Sequence, residues 1–154
     1  MRIKVDDLDD GAVIELLSEH HEEMNLYSPP ESIHALDEAS LKDPAIMFWS
    51  VWSSNELAGC GALKKLSNTH GEIKSMRTSN AFRRQGVAER ILQQILNSAK
   101  SRSYQRVSLE TGTNEAFIPA IKLYKKYGFN ECVPFGSYKL DPFSMFFTKE
   151  MESA

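Results

Sequence analysis

Val87, Ala88, Ile91, Leu92, Ile95, Leu96 and Ala99 recur at i, i+1, i+4, i+5, i+8, i+9 and i+12, which draws one apolar face on a helix. Such a stripe is stable only when it packs against another apolar surface, and the preceding sequence supplies strands for it. Ile46 to Val51 and Leu57 to Leu66 flank the turn Ser53-Ser54-Asn55 and read as an antiparallel hairpin, with Gly59 and Gly61 inside its second strand. Glu72 to Thr78 reads as a third strand. Its Ile73 and Met76 are three residues apart, whereas the faces of a strand repeat every two, so a β-bulge is expected near Lys74 to Met76.

The remaining elements follow the same logic. Arg2 to Val5 alternates as a strand, and Asp9 and Asp10 stand where they could cap a helix carrying Val13, Ile14, Leu16, Leu17 and Met24. Residues 27–44 hold Pro29, Pro30 and Pro44 around the helical fragments Glu31 to Leu36 and Glu38 to Leu41, which makes a folded loop of a length that often carries function. Beyond the main helix, Val107 and Leu109 alternate with Ser108 and Glu110 in a strand. A helix around Pro119 to Tyr127 then ends at Gly128, suited to a left-handed cap. Two late strands are expected near Phe129 to Val133 and Met145 to Lys149. The 154 residues suit a single domain, large enough to bury about two thirds of its unfolded surface without staples.

Composition removes several functions. With 18 Lys and Arg against 21 Asp and Glu, the net charge of −3 lacks the basic excess of a dedicated nucleic-acid binder. No window approaches the run of about 18 apolar residues that a membrane span needs, so the chain is expected to be soluble and unexported. Cys60 and Cys132 lack C-x-x-C spacing and a His-rich neighbourhood; they fit a reducing cytoplasm rather than zinc or a disulfide framework, with a single disulfide left open.

The stretch Arg83-Arg84-Gln85-Gly86-Val87-Ala88 joins a strand to the start of the main helix. Free N–H groups and the helix dipole there favour negative charge, Gly86 permits close approach, and the two arginines add formal charge. It reads either as a phosphate cradle or as a basic turn capping a surface helix. Other nucleotide motifs fail, since no G-x-x-x-x-G-K-[ST] occurs and Gly59-Cys60-Gly61 lacks a third glycine of the dinucleotide fingerprint.

Arg83-x-x-Gly86-x-Ala88 after its strand resembles motif A, [QR]-x-x-G-x-[GA], of the GNAT superfamily of acetyl-CoA-dependent N-acetyltransferases. Downstream, the run from Pro119 to Phe129, PAIKLYKKYGF, resembles the family segment A-x-x-L-Y-x-x-x-G-F. Ser108 to Gly112, Phe117 to Ala120 and Pro134-Phe135 resemble a subgroup of small bacterial members whose acceptors are mostly unassigned. The resemblance implies an α/β (α+β) fold with a mixed, mostly antiparallel sheet, helices on both faces and a bulged, splayed parallel pair at the cofactor site. It implies acetyl-CoA as cofactor, its pyrophosphate on Arg83, Arg84, Gln85, Gly86, Val87 and Ala88, and its pantetheine along Met76, Arg77 and Thr78. A bulge supplies a reason: it would open backbone groups to which an extended arm bonds like an added strand.

The chemistry is then transfer of an acetyl group to a primary amine by direct attack, with no metal. An alkylamine has a pKa near 10.4, so a base must take its proton. Glu72, eleven residues before Arg83, matches the family's general-base glutamate in some members, against a reading as a surface strand-end residue. Tyr124 matches the tyrosine near the coenzyme sulfur, although helical spacing alone makes it core. Many members carry Asn seven residues before that tyrosine; here the residue is Phe117, so Asn114 is considered for the contact, or Phe117 packs on pantetheine, or Asn114 simply caps a helix. Glu31, Ser32 and His34 are the acceptor-site candidates of the 27–36 segment, each with a cap or solvated-loop alternative. His20 and His21 sit among Glu19, Glu22 and Glu23 on a face expected to be solvated, and Trp49 and Trp52 should face opposite sides of a strand. The expected partner is a small amine or a peptide, and the C-terminal strands leave room for a homodimer. Two other classes stay open: a non-catalytic acyl-CoA sensor, and a protein-binding module in which motif A is only a basic turn.

Overall fold

The computed structural model describes residues 1–9, 11–34 and 38–151, with only the backbone of Glu38. Among them, seven strands form one sheet: β1 Arg2–Val5, β2 Ile46–Ser53, β3 Glu56–Lys65, β4 His70–Thr78, β5 Arg106–Gly112, β6 Asn130–Cys132 and β7 Ser144–Glu150. Their spatial order is β1-β2-β3-β4-β5-β7-β6. Every neighbouring pair is antiparallel except β4 and β5. The helices are α1 Gly11–Tyr27, α2 Glu38–Leu41, α3 Val87–Ser101 and α4 Ile118–Lys126.

Two apolar layers sandwich the sheet. Ile91, Leu92, Ile95 and Ala99 of α3 and Tyr124 of α4 bury against Ile73, Val107, Leu109 and Phe147. On the other face Val13, Leu16 and Leu17 of α1 cover Phe48, Trp52 and Cys60. Gly59 and Gly61 explain how α3 comes so near: a Cβ on Gly59 would lie 2.7 Å from Val87 Cγ1, and one on Gly61 2.6 Å from Ile91 Cγ2. Trp49 and Trp52 do face opposite sides, and both are buried.

The bulge stands where the Ile73/Met76 spacing requires it. Cys60 pairs with Arg77 and Ala62 with Lys74, so one residue of β3 faces two of β4, and Ser75 takes φ +57°. Ile73 and Met76 both reach the α3 side as a result. The parallel ladder stops at the same place. Ile73 and Leu109 are the last pair of β4 and β5, while β5 continues to Gly112 on β7. Past this fork, Lys74 and Glu110 begin the two separated branches.

Some boundaries differ from expectation. Strand β4 begins two residues earlier, at His70. Of the fragment expected from Glu31 to Leu36, Glu31 and Ser32 are helical among the described residues, within a 3₁₀ turn Pro30–Ser32 that ends when Ile33 turns extended; Ala35 and Leu36 lie outside the described residues. Asp10 also lies outside them, and the Asp9 carboxylate pairs with Lys42 at 3.5 Å. Gly128, at φ +92°, follows α4 as the left-handed residue, and the Phe129 amide donates to Tyr124 O at 3.1 Å. Cys60 and Cys132 are both free thiols, and burial pushes Cys60 up to about 12.

Candidate active site

The site is assembled around the fork. At its outer end, Arg83, Arg84, Gln85 and Gly86 are exposed, and Val87 anchors α3 beneath them. Arg84 at φ +63° and Gly86 at φ +79° turn the chain into the helix. No side chain caps α3, so the amides of its first turn lack intrahelical acceptors. Open space surrounds Gly86: a Cβ built there meets no atom within 4 Å. This is a concave, positively charged helix start that an anion can enter.

Beside it, Glu23 of α1 pairs with Arg77 and, at 3.5 Å, with Arg83. Arg77 Nε is buried without a partner among the described residues. His20 departs from expectation: it is half-buried rather than solvated, and burial with the neighbouring Arg77 lowers its pKa to about 4.

On the face of the fork opposite α3 lies a polar cluster. The alternation that sends Ile73, Val107 and Leu109 to the core turns Glu72, Lys74, Ser108 and Glu110 the other way. Glu72 is no surface residue. Its side chain is 4% exposed and that of Lys74 8%, with Nζ and Oε2 3.2 Å apart. Tyr138, from the segment between β6 and β7, donates its hydroxyl to Glu72 Oε2 at 2.5 Å and accepts from Lys74 Nζ at 2.9 Å. Tyr138 belongs to an aromatic roof with Phe135 and Phe146, at centroid distances of 5.1 and 5.4 Å. His34 meets Tyr138 edge-on at 4.9 Å, and Ser32 donates to Asp141 Oδ2 at 2.6 Å. Burial and the Lys74 charge lower the His34 pKa, so the ring is mostly neutral at pH 7.

Ser32, His34 and Glu72 therefore converge, through Asp141 and Tyr138, whereas Glu31 is exposed. Sequence reasoning singled out neither Lys74, Tyr138 and Asp141 nor Glu110. Burial pushes the Glu110 carboxyl up to about 7, with Glu72 and Asp141 adding to the rise and Ser144 and Lys74 opposing it. The Ser144 hydroxyl is buried near Glu110, close enough to oppose that rise, but outside full hydrogen-bond geometry with any described residue.

Two tyrosines of the α4 segment separate sharply. Tyr127 donates to Glu89 at 2.9 Å and accepts from Gln93 at 2.8 Å, which ties α4 to α3. The Tyr124 hydroxyl meets no hydrogen-bond partner among the described residues; its ring packs edge-on to Phe129, and burial holds the phenol well above the ordinary range. Asn114 accepts from the Ala116 amide at 2.9 Å, the capping role. Phe117 packs over Gly112, where a Cβ would lie 2.3 Å from its ring, and meets Tyr27 at 6.0 Å.

Comparison with known proteins agrees with this fold. An uncharacterized N-acetyltransferase of Bacillus subtilis (strain 168), YsnE, is 54% identical over 98% of this chain and 100% of its own length. Another, YedL of Escherichia coli (strain K12), is 51% identical over 94% and 91%. The fold matches that of a GNAT family acetyltransferase from Elizabethkingia anophelis, crystallised with acetyl-CoA bound, with a TM-score of 0.68 at 18% identity over 97% of each chain. The sequence model of the acetyltransferase (GNAT) family matches residues 12–129. This chain belongs to the acetyltransferase (GNAT) family of acyl-transferring enzymes.

Proposed function

We propose that this chain is an acetyl-CoA-dependent N-acetyltransferase that moves the acetyl group to a primary amine by direct attack. The observation that carries the reading is the fork: a stretch of β4 that has parted from β5 runs beside an uncapped, arginine-flanked helix start. These residues fit coenzyme A. Gln85, Gly86, Val87 and Ala88 offer amides to the pyrophosphate, Arg83 and Arg84 add charge, and open space at Gly86 leaves room for it. Backbone groups of Met76, Arg77 and Thr78 are disposed to bond an extended arm, as a sheet edge bonds an added strand. Phe117 offers an apolar wall, whereas Asn114 is engaged as a cap.

Bound acetyl-CoA supplies the thioester that the amine attacks. Tyr124 stays protonated at every physiological pH and holds a hydroxyl free to donate to the departing sulfur. Ser32 and His34 are the polar groups of this cluster assigned to the acceptor, and Glu31 is exposed beside them. A carboxylate of this cluster or solvent removes the amine's proton, and Glu72 is the carboxylate picked out by the family motif. Two free thiols fit a reducing compartment, and we assign the chain to the cytoplasm.

The test is release of free thiol from acetyl-CoA across a panel of amines, amino acids and peptides. Turnover on at least one acceptor is expected, falling about 10²-fold or more in Tyr124→Phe if the phenol acts as the acid. Tight coenzyme binding with no turnover on any acceptor would instead favour an acyl-CoA sensor.

A further inference from the structure

The carboxylate that folding explains least is Glu110. Strand β5 turns Ser108 and Glu110 to the same face, and Ser108 is fully engaged there, 2.7 Å from His70 Nε2 and 2.9 Å from Thr148 Oγ1. Glu110 has no ion pair among the described residues, because the cation across the fork, Lys74, is taken by Glu72. It is also the first residue of β5 beyond the last parallel pair, Ile73 and Leu109. A carboxyl group thus stands without an ion pair of its own at the point where the two strands part, offset only by the more distant charge of Lys74.

We propose that Glu110 is the general base of this enzyme, taking the acceptor's proton at the fork, while Glu72 is a positioning residue that fixes Lys74 and Tyr138. The proposal rests on the N-acetyltransferase reading above. Glu72 is badly placed to act as base: its Oε2 already accepts from an ammonium at 3.2 Å and a phenol at 2.5 Å, and a third proton there must displace one of them. Glu110 carries no such load.

The acceptor ammonium gives one proton to the Glu110 carboxylate and becomes a free amine. Its nitrogen bonds to the acyl carbon, and the carbon–sulfur bond breaks with its electron pair left on sulfur. The second nitrogen proton passes to that sulfur, directly or through the Tyr124 hydroxyl, and Glu110 returns its own proton to solvent. A carboxyl raised from 4.5 to about 7 lies roughly 300-fold closer in proton affinity to an amine near 10.4 than an ordinary glutamate does. The groups that face it are Glu72 and Lys74 of β4, Asp141 and Tyr138 of the roof segment, and Ser144 of β7, with neutral His34 beyond them.

The experiment pairs two readouts on the full chain. In the free protein labelled with ¹³C-glutamate, one carboxyl should titrate near 7 and vanish from the spectrum in Glu110→Gln. In turnover, Glu110→Gln should lower kcat by about 10²- to 10⁴-fold and leave acetyl-CoA binding by calorimetry unchanged. Its deficit should narrow towards pH 10, where the amine loses its proton unaided, and the acid limb of the kcat/KM profile should disappear. Wild-type turnover in Glu110→Gln, or a Glu110 signal that titrates near 4.5, overturns the proposal. So does an acid limb that survives Glu110→Gln but is lost in Glu72→Gln. Absence of turnover by the wild type on every acceptor, with the coenzyme bound, overturns the acetyltransferase reading first, and the role of Glu110 falls with it.

Discussion

The two faces of the β4–β5 pair are built from alternate residues of the same two strands and could hardly differ more. Towards α3, Ile73, Val107 and Leu109 are buried in a dry apolar layer. Towards the roof, Glu72, Lys74, Ser108 and Glu110 hold hydroxyls and charges under Phe135, Tyr138 and Phe146. Stability on the first face comes from area removed from water. On the second, every charge taken out of water costs several kcal/mol, so it persists only where a partner offsets it. Glu72 and Lys74 meet that condition, and Glu110 does not. The contrast suggests that the polar face is retained for what it does to a ligand.

The contrast can be broken from either side. The largest effect is expected from Lys74→Met, which strands the buried Glu72 carboxylate and should cost about 3–5 kcal/mol in urea unfolding at pH 7. Adding Glu72→Leu to that variant should recover most of the loss; if it does not, the pair is supported by more than charge. Next comes Leu109→Ala on the dry face, expected to cost about 2–5 kcal/mol as a cavity opens among α3, α4 and the sheet.

A smaller effect of opposite sign is expected from Glu110→Gln. The folded carboxyl titrates near 7 and the unfolded one near 4.5, so between those values only the folded state holds the proton. Wild-type stability therefore falls as pH rises through that window and stays lower above it. Glu110→Gln should be about 1–3 kcal/mol more stable than wild type at pH 8, with the gap closed below pH 4.5, as urea midpoints at the two pH values will show. The smallest effect belongs to Tyr124→Phe. Its hydroxyl has no partner to lose, so unfolding should change by less than about 1 kcal/mol, and a larger loss would mean that the phenol is structural.

Local pattern carried far along this chain, and stopped where distant segments meet. The α3 stripe, the hairpin, the Gly128 cap and even the bulge follow from periodicity, because each is decided by neighbours within a few residues. The broken 2-residue repeat at Ile73 and Met76 is the clearest instance. The fork itself came only through family resemblance, since nothing in β4 or β5 alone says where two strands stop pairing. The polar cluster was less legible still. Tyr138 reaches Lys74 and Glu72 across 64 and 66 residues, and nothing in its surroundings marks it as more than loop. Alternation showed which way Glu110 turns but not that a roof covers it. His20, amid acidic neighbours on a helix, reads as solvated because sequence does not reveal that the fold buries it near the charge of Arg77 from β4. Register offers one usable signal: once β4 and β5 are aligned in parallel, Lys74 and Glu110 stand level with each other.

The fork also has a consequence in time. Within a seven-stranded sheet, amides locked between two strands exchange with solvent deuterium only through rare openings. The amides of β4 beyond Ile73 that point away from β3 have no strand to lock them, although they lie at the centre of the strand order. They should exchange early, as a fast patch enclosed by slow neighbours. A ligand bonded along that branch would act as a missing strand, so the slowing of those few amides would report its arrival before any chemistry is measured.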